Sequence, residues 1–251
     1  MKRIFLILGC LFLSVSAHAA QYRAALVADM NTGRVLYQEN ANELNYPASL
    51  TKIMTLYLTF DALEHNRLAL DDYLIVSQAA ANAEPVKLGL AAGSKIRVED
   101  AIKAVAVYSA NDVARVLAEK VNPNKEYFVS LMNQKAIEIG LKNTYFTNPD
   151  GSPDELQRTT VNDMSVFLSY AMSNVQFRNV AANPAAHIWG GTAVINECKL
   201  VSNNTFANAS VTSGALAVYN TAENLSTTML YFVSTQTNNT PAVKLTMVIS
   251  G

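Results

Sequence analysis

Ile53, Met54, Leu56, Tyr57, Leu58, Phe60 and Leu63 cover most of a helical circumference, so residues 49–66 are predicted to form a helix buried on nearly every side. The pattern around it marks the other elements. Residues 23–29 and 34–38 are short runs rich in Val, Leu, Ala and Tyr, separated by Asn31-Thr32-Gly33, which is the pattern of a hairpin. Residues 71–98 are irregular, broken by Pro85 and Gly93, with room for a short hairpin. Helical periodicity returns over 98–107, 112–121 and 125–139, the last closed by Gly140 as a C-cap. Asn148-Pro149-Asp150-Gly151-Ser152-Pro153 is dense in turn formers, and Thr160 with Asp163 opens a further helix to about residue 173. Beyond Phe177 the charges thin out: after Lys199 only Glu223 and Lys244 remain, and 209–217, 225–235 and 243–249 read as strands.

Two strands, a helical block and three strands, with no internal repeat, predict an α/β protein of the α+β type. In it, one antiparallel sheet built from both chain ends is flanked by helices and joined to a helical lobe. The 251 residues, half of them apolar, suffice for one sizeable core. Lys2-Arg3, an apolar stretch at 4–15 and Ala17-His18-Ala19 read as a secretory signal peptide cleaved after Ala19, which leaves a domain of residues 20–251 in the periplasm or outside the cell. The apolar stretch is short for a membrane span, and no later segment reaches the roughly 18 apolar residues that spanning needs. Gly9-Cys10 matches part of a lipoprotein cleavage box, with an unusually short apolar segment before it.

Loss of Lys2 and Arg3 with the leader leaves 17 basic against 20 acidic residues, a formal charge of −3 that gives no footing for nucleic acid. Cys10 departs with the leader as well. Cys198 then has no intramolecular partner, so an exported fold must rest on its core.

Candidate chemistry sits at the head of the buried helix. Ser49 and Lys52 are three residues apart and project from one helical face, near the N-terminus. An amine held neutral can take the hydroxyl proton and make a nucleophile without histidine, and the positive end of the helix dipole discourages protonation of that amine. Ser-x-x-Lys occurs by chance about once in a chain of this length, and a helix N-cap serine followed by a solvated lysine explains it equally well. Ser109-Ala110-Asn111 falls between two predicted helices. It can supply a hydroxyl to relay protons and an amide to hold a substrate carbonyl, although Ser109 with Asp112 also forms a capping box.

With Ser-x-x-Lys and Ser-x-Asn in this order, the chain resembles the penicillin-recognising serine enzymes, and most closely the low-molecular-mass D-alanyl-D-alanine carboxypeptidases. The blocks that carry the resemblance are residues 47–55, Lys87-Leu88-Gly89-Leu90, residues 108–114, Met132-Asn133, Asn148-Pro149-Asp150-Gly151 and Thr159-Thr160 with Asp163-Met164. They are dense over 22–175 and thinner beyond. The resemblance implies a β-lactamase/transpeptidase-like fold, peptidoglycan stem peptides as substrates, β-lactams as acylating inhibitors, and no metal or organic cofactor. It also implies that Ser49 is the nucleophile and Lys52 its base, with Ser109 as proton relay and Asn111 binding the substrate backbone. The N–H groups of Ser49 and Ala215 are implied as the oxyanion hole.

One family element departs. Where the family has Lys-Thr/Ser-Gly on an edge strand, this chain reads Thr212-Ser213-Gly214, followed by Ala215. The resemblance implies that Ser213 holds the substrate's terminal carboxylate, but Thr212 supplies a hydroxyl and no charge. Losing a charge-assisted contact in a partly desolvated site costs on the order of 2–5 kcal/mol, roughly 30-fold to several thousand-fold in rate. The family's C-terminal helix, further domain and amphipathic membrane anchor also find no counterpart before Gly251. These departures leave two rivals to a carboxypeptidase: a non-catalytic muropeptide- or penicillin-binding protein on the same fold, and a β-lactam hydrolase. His65 and His187 lack zinc-site spacing and any acidic partner near in sequence, so both read as surface or packing residues. Trp189, before Gly190-Gly191, reads as a cleft-rim or gap-filling residue.

Overall fold

A computed structural model of the chain describes residues 23–30, 32–84 and 86–177, together with the backbone of five strands at 185–188, 191–194, 211–217, 227–234 and 244–250. The expected leader at 1–19, both cysteines and Trp189 lie outside the described residues.

The N-terminal hairpin forms as the alternation predicts. Strand β1 (Ala24–Asp29) pairs antiparallel with β2 (Val35–Glu39), and Gly33, at φ +70°, donates its N–H to the Asp29 carbonyl at 2.8 Å to close the turn. Strands β3 (Tyr73–Ile75) and β4 (Lys95–Arg97) are the short hairpin for which the irregular segment left room. The C-terminal part holds β5 (Ala185–Ile188) and β6 (Gly191–Val194), then β7 (Val211–Ala217), β8 (Thr227–Ser234) and β9 (Lys244–Ser250). The β5–β6 hairpin corrects the expected count of three C-terminal strands; its runs of four residues are too short to stand out by alternation, and the Gly190-Gly191 pair was its remaining signal.

The main sheet runs β2-β1-β9-β8-β7, and every adjacent pair is antiparallel. Residues 24–29 and 245–250 therefore meet at β1 and β9, where Leu26 lies opposite Val248.

Six helices complete the described fold: α1 (Thr51–Glu64), α2 (Gln78–Ala81), α3 (Val98–Tyr108), α4 (Asn111–Val121), α5 (Lys125–Ile139) and α6 (Val161–Ala171). Helix α6 lies against β1 and β9, and α1 packs on α3, α4 and α5. The polar signals act as predicted: Gly140 ends α5 at φ +88°, and Thr160 Oγ1 caps α6 by accepting the Asp163 N–H at 3.1 Å. Ile53, Met54, Leu56 and Phe60 are all within the core, as expected of a helix apolar around most of its circumference. Among the described residues, no helix is long and apolar enough to cross a membrane.

His65 caps the C-terminus of α1, where its ring contacts the Asp61 carbonyl at 2.8 Å. It also stands 3.5 Å from the Asp61 carboxylate, which corrects the expectation that it lacks an acidic neighbour: four residues on a helix are one turn.

Phe60 is 2% exposed and meets Phe177 edge-on at 6.1 Å between ring centres. Phe60→Ala is expected to lower the unfolding free energy by about 3–5 kcal/mol, read from urea denaturation with an unchanged slope.

Candidate active site

The nucleophile candidate sits on a bend. Ala48–Leu50 form a 3-10 turn, and α1 begins only at Thr51, two residues later than predicted. Ala48 is held at φ +45°, a left-handed conformation that costs a non-glycine residue on the order of 1–3 kcal/mol. Ser49 makes no capping bond, so the N-cap explanation of the motif fails. The solvated-lysine explanation fails too, because Lys52 is 3% exposed.

Lys52 Nζ donates to Ser49 Oγ at 3.2 Å and to the Asp150 carbonyl at 2.5 Å. Burial pushes the Lys52 amine down to about 8; Asp150 pulls it back up and the Arg115 guanidinium pushes it down again. An amine in that range is partly neutral near pH 7 and can accept the Ser49 proton across the bond it already makes.

The segment that holds Lys52 was legible only as a turn. Thr55 Oγ1 donates to the Pro149 carbonyl at 2.6 Å, one turn along α1 from Lys52, and Asn148 Oδ1 accepts the Gly151 N–H at 2.7 Å. Gly151 has φ +80°, and a Cβ there would stand 1.9 Å from the Ala48 carbonyl oxygen. Only glycine permits the two backbones to approach so closely. Behind the segment, Asn133 clamps Phe146 through both its amide atoms at 2.8 Å. Asn45 and Thr159 exchange backbone bonds at 2.7 and 2.8 Å and so fix the approach to Ser49.

Ser109 and Asn111 lie where α3 gives way to α4. Ser109 ends α3 at φ +60°, and Ala110, not Ser109, is the N-cap of α4. The capping-box explanation is therefore wrong. The Asp112 carboxylate instead accepts the N–H groups of Leu88, Gly89 and Leu90 at 3.0–3.3 Å, and Asn111 Nδ2 donates to the Glu84 carbonyl at 2.8 Å. Ser109 Oγ is buried without a hydrogen-bond partner among the described residues. A buried hydroxyl left unpaired costs about 1–3 kcal/mol, which marks it as a group awaiting a partner.

Thr212, Ser213, Gly214 and Ala215 lie on β7, an edge of the main sheet, in register with Val233, Phe232, Tyr231 and Leu230. Their side chains lie outside the described residues. Sequence reasoning missed Asp112, Arg115 and Asp150 as parts of this site. Arg115 carried one signal, since it stands four residues after Asn111 on the same face of α4. Among the described residues, no group of three or more metal-ligating side chains is gathered in one place.

The Peptidase_S11 family, D-alanyl-D-alanine carboxypeptidase, matches residues 13–215. The chain belongs to this family. It is 38% identical over 150 residues to the D-alanyl-D-alanine carboxypeptidase DacF of Bacillus subtilis (strain 168), covering 60% of this chain and 38% of that protein. To the D-alanyl-D-alanine carboxypeptidase DacC of Escherichia coli (strain K12) it is 36% identical over 159 residues, or 61% and 40% of the two chains. The chain thus spans less than half the length of these curated relatives. Penicillin binding protein 5 of Haemophilus influenzae superposes on 92% of this chain and 65% of its own, with a TM-score of 0.77 at 25% identity. The fold is accordingly that of the low-molecular-mass penicillin-binding proteins.

The Gly151 contact is testable without any assay of function. Gly151→Ala and Gly93→Ala both place alanine at φ near +80°, but Gly93 has open space around it. Gly151→Ala is expected to cost about 1–3 kcal/mol more than Gly93→Ala in chemical denaturation, the extra being the cost of overpacking.

Proposed function

We propose that this chain is a serine-type D-alanyl-D-alanine carboxypeptidase acting on peptidoglycan stem peptides. The observation that carries the reading is the Ser49–Lys52 contact at 3.2 Å, with the amine buried and lowered to about 8. A solvated lysine near its ordinary value of about 10.4 is neutral in fewer than one molecule in a thousand at pH 7, whereas here roughly one in ten is.

In the proposed reaction Ser49 Oγ attacks the carbonyl carbon between the last two D-alanines while Lys52 takes its proton. The N–H groups of Ser49 and Ala215 bind the oxyanion, at no cost in reorganisation when it forms. Collapse breaks the C–N bond, and the proton passes from Lys52 through Ser109 to the departing amine, which leaves as D-alanine. Water then attacks the ester, releasing the shortened peptide and restoring Ser49. Asn111 holds the substrate backbone; Thr212, Ser213 and Gly214 form the wall along β7, with Ser213 at the terminal carboxylate. The unpartnered Ser109 hydroxyl supports its place in the relay. A leader at 1–19, removed after Ala19, delivers the domain of residues 20–251 to the periplasm, where the substrate lies. β-Lactams enter the same site and acylate Ser49, in keeping with the penicillin binding protein relative.

Thr212 favours a second reading, a muropeptide-binding protein with little or no turnover, because its hydroxyl brings no charge to the substrate carboxylate. Fluorescent penicillin and a stem pentapeptide separate the two. Labelling that disappears in Ser49→Ala, with D-alanine released from the pentapeptide, is the expected result; labelling without release supports the binder, and well-folded protein that never labels sinks both.

The pH dependence follows from Lys52. Below about 8 the acylation rate is expected to rise nearly tenfold per pH unit as the amine deprotonates, then level off above it. A flat profile from pH 6 to 9 would remove Lys52 as the base. Thr212→Lys is expected to raise the acylation rate roughly 30-fold or more by restoring the charged contact. No increase would mean that the wall on β7 has been assigned the wrong role.

A further inference from the structure

Arg115 and Asp150 are charged side chains near the pair that the proposed reaction does not use. Arg115 Nε donates to Asp150 Oδ2 at 2.6 Å, and Arg115 Nη2 donates to Ser152 Oγ at 3.2 Å. Ser152 in turn binds the Asp150 carboxylate through its hydroxyl at 3.0 Å and its N–H at 3.3 Å. The Asp150 side chain is fully buried, and that of Arg115 is 30% exposed, next to a cavity of about 230 Å³ lined by Ala79, Glu119 and Phe128. A buried carboxylate stripped of its partner is a large uncompensated charge. This one belongs to the residue whose carbonyl holds Lys52 Nζ, directly before the glycine that abuts Ala48.

We propose that Arg115 is a positioning residue of the active site: by binding the buried Asp150 carboxylate it locks the 148–151 turn against the Ser49 turn and cancels the negative charge that would otherwise hold Lys52 protonated. Helix α4 then serves both walls of the site, with Asn111 tied to the Glu84 carbonyl and Arg115, one turn on, tied to Asp150. The inference rests on Lys52 acting as the base.

Among the described residues, Asp150 and Arg115 are the charged groups that act on Lys52. Removing the two partners therefore moves the amine in opposite directions. Without Arg115 the Asp150 charge acts unopposed and favours the ammonium form; without the Asp150 charge, burial and Arg115 both favour the neutral form.

The test follows the Lys52 Cε resonance against pH in ¹³C-lysine-labelled full-length protein, assigned with Lys52→Arg. Wild type is expected to titrate near 8. Arg115→Gln is expected to raise that midpoint by on the order of one pH unit. Asp150→Asn is expected to lower it, the double variant to return toward wild type, and Arg115→Lys to stay close to wild type because it keeps the charge. A purely structural strut predicts reduced thermal stability in every variant without opposed shifts. Midpoints that coincide, or that move the same way in Arg115→Gln and Asp150→Asn, overturn the proposal. If Arg115→Gln does not fold, Asp150→Asn decides by the direction of its shift. Penicillin labelling of the wild type is recorded alongside. Opposed shifts in a protein that never labels overturn the carboxypeptidase reading and leave the electrostatic pairing standing, whereas labelling with coincident midpoints overturns the role of Arg115 only.

Discussion

The structure turns on keeping an amine out of water. Lys52 is 3% exposed, and a lysine so placed must be either charged and well paired or close to neutral. Its partners here are a serine hydroxyl and one backbone carbonyl, both uncharged acceptors, and the nearest acid is itself occupied by Arg115. This arrangement satisfies the hydrogen-bonding capacity of the amine without supplying the full counter-charge that would hold it protonated. Everything that delivers the Asp150 carbonyl to Nζ is thereby part of the same device: the glycine that lets two backbones nearly touch, the Asn148 amide that ties the turn, and the Thr55 hydroxyl that fastens it to α1.

The second wall is built differently but to the same end. Asp112 gathers three successive N–H groups of the 88–90 loop, and Asn111 donates to the carbonyl of Glu84, so these segments hang on the first turn of α4. The two candidate serines share another feature: Ala48, just before Ser49, and Ser109 itself both hold left-handed backbone that only surrounding contacts can maintain. Local conformational energy is spent at those two points while the helices beside them are packed into the core, which is the usual distribution of strain around a reactive site.

How far all this was legible depended on the range of the signal. The buried helix, the N-terminal hairpin, the Gly140 and Thr160 caps and the three long C-terminal strands were readable because each is written in adjacent residues. A sheet drawing strands from both parts of the chain was expected from the order of the elements, but which strand of one part would pair with which of the other was not legible, and β1 pairs with β9. Ser49 and Lys52 were readable as a pair from their spacing and as a site only through the resemblance: the carbonyl that holds Lys52 belongs to Asp150, nearly a hundred residues away, and no local pattern encodes that distance. Asp112 was misread for the same reason. Its spacing from Ser109 fits a cap, and only the folded loop at 88–90 shows where its oxygens point. The start of α1 was placed early because periodicity cannot register a 3-10 turn at 48–50, which a glycine about a hundred residues on leaves room for.

The order of the main sheet carries a consequence for how the molecule comes to exist. Strand β9 lies between β1 and β8, so a segment near residue 247 must be threaded beside one near residue 27 before the sheet is continuous. Closing a loop of that length is entropically the slowest kind of pairing, while the contacts among α1, α3 and α4 are between helices close in sequence. The helical half, with Ser49 and Lys52 already facing each other, belongs to the early-forming part of the chain. Helix α6, which rests on both β1 and β9, has half of its seat missing until the far end of the chain arrives. A chain emerging N-terminus first thus sets Ser49 and Lys52 on their helix before the sheet that carries β7 can be completed.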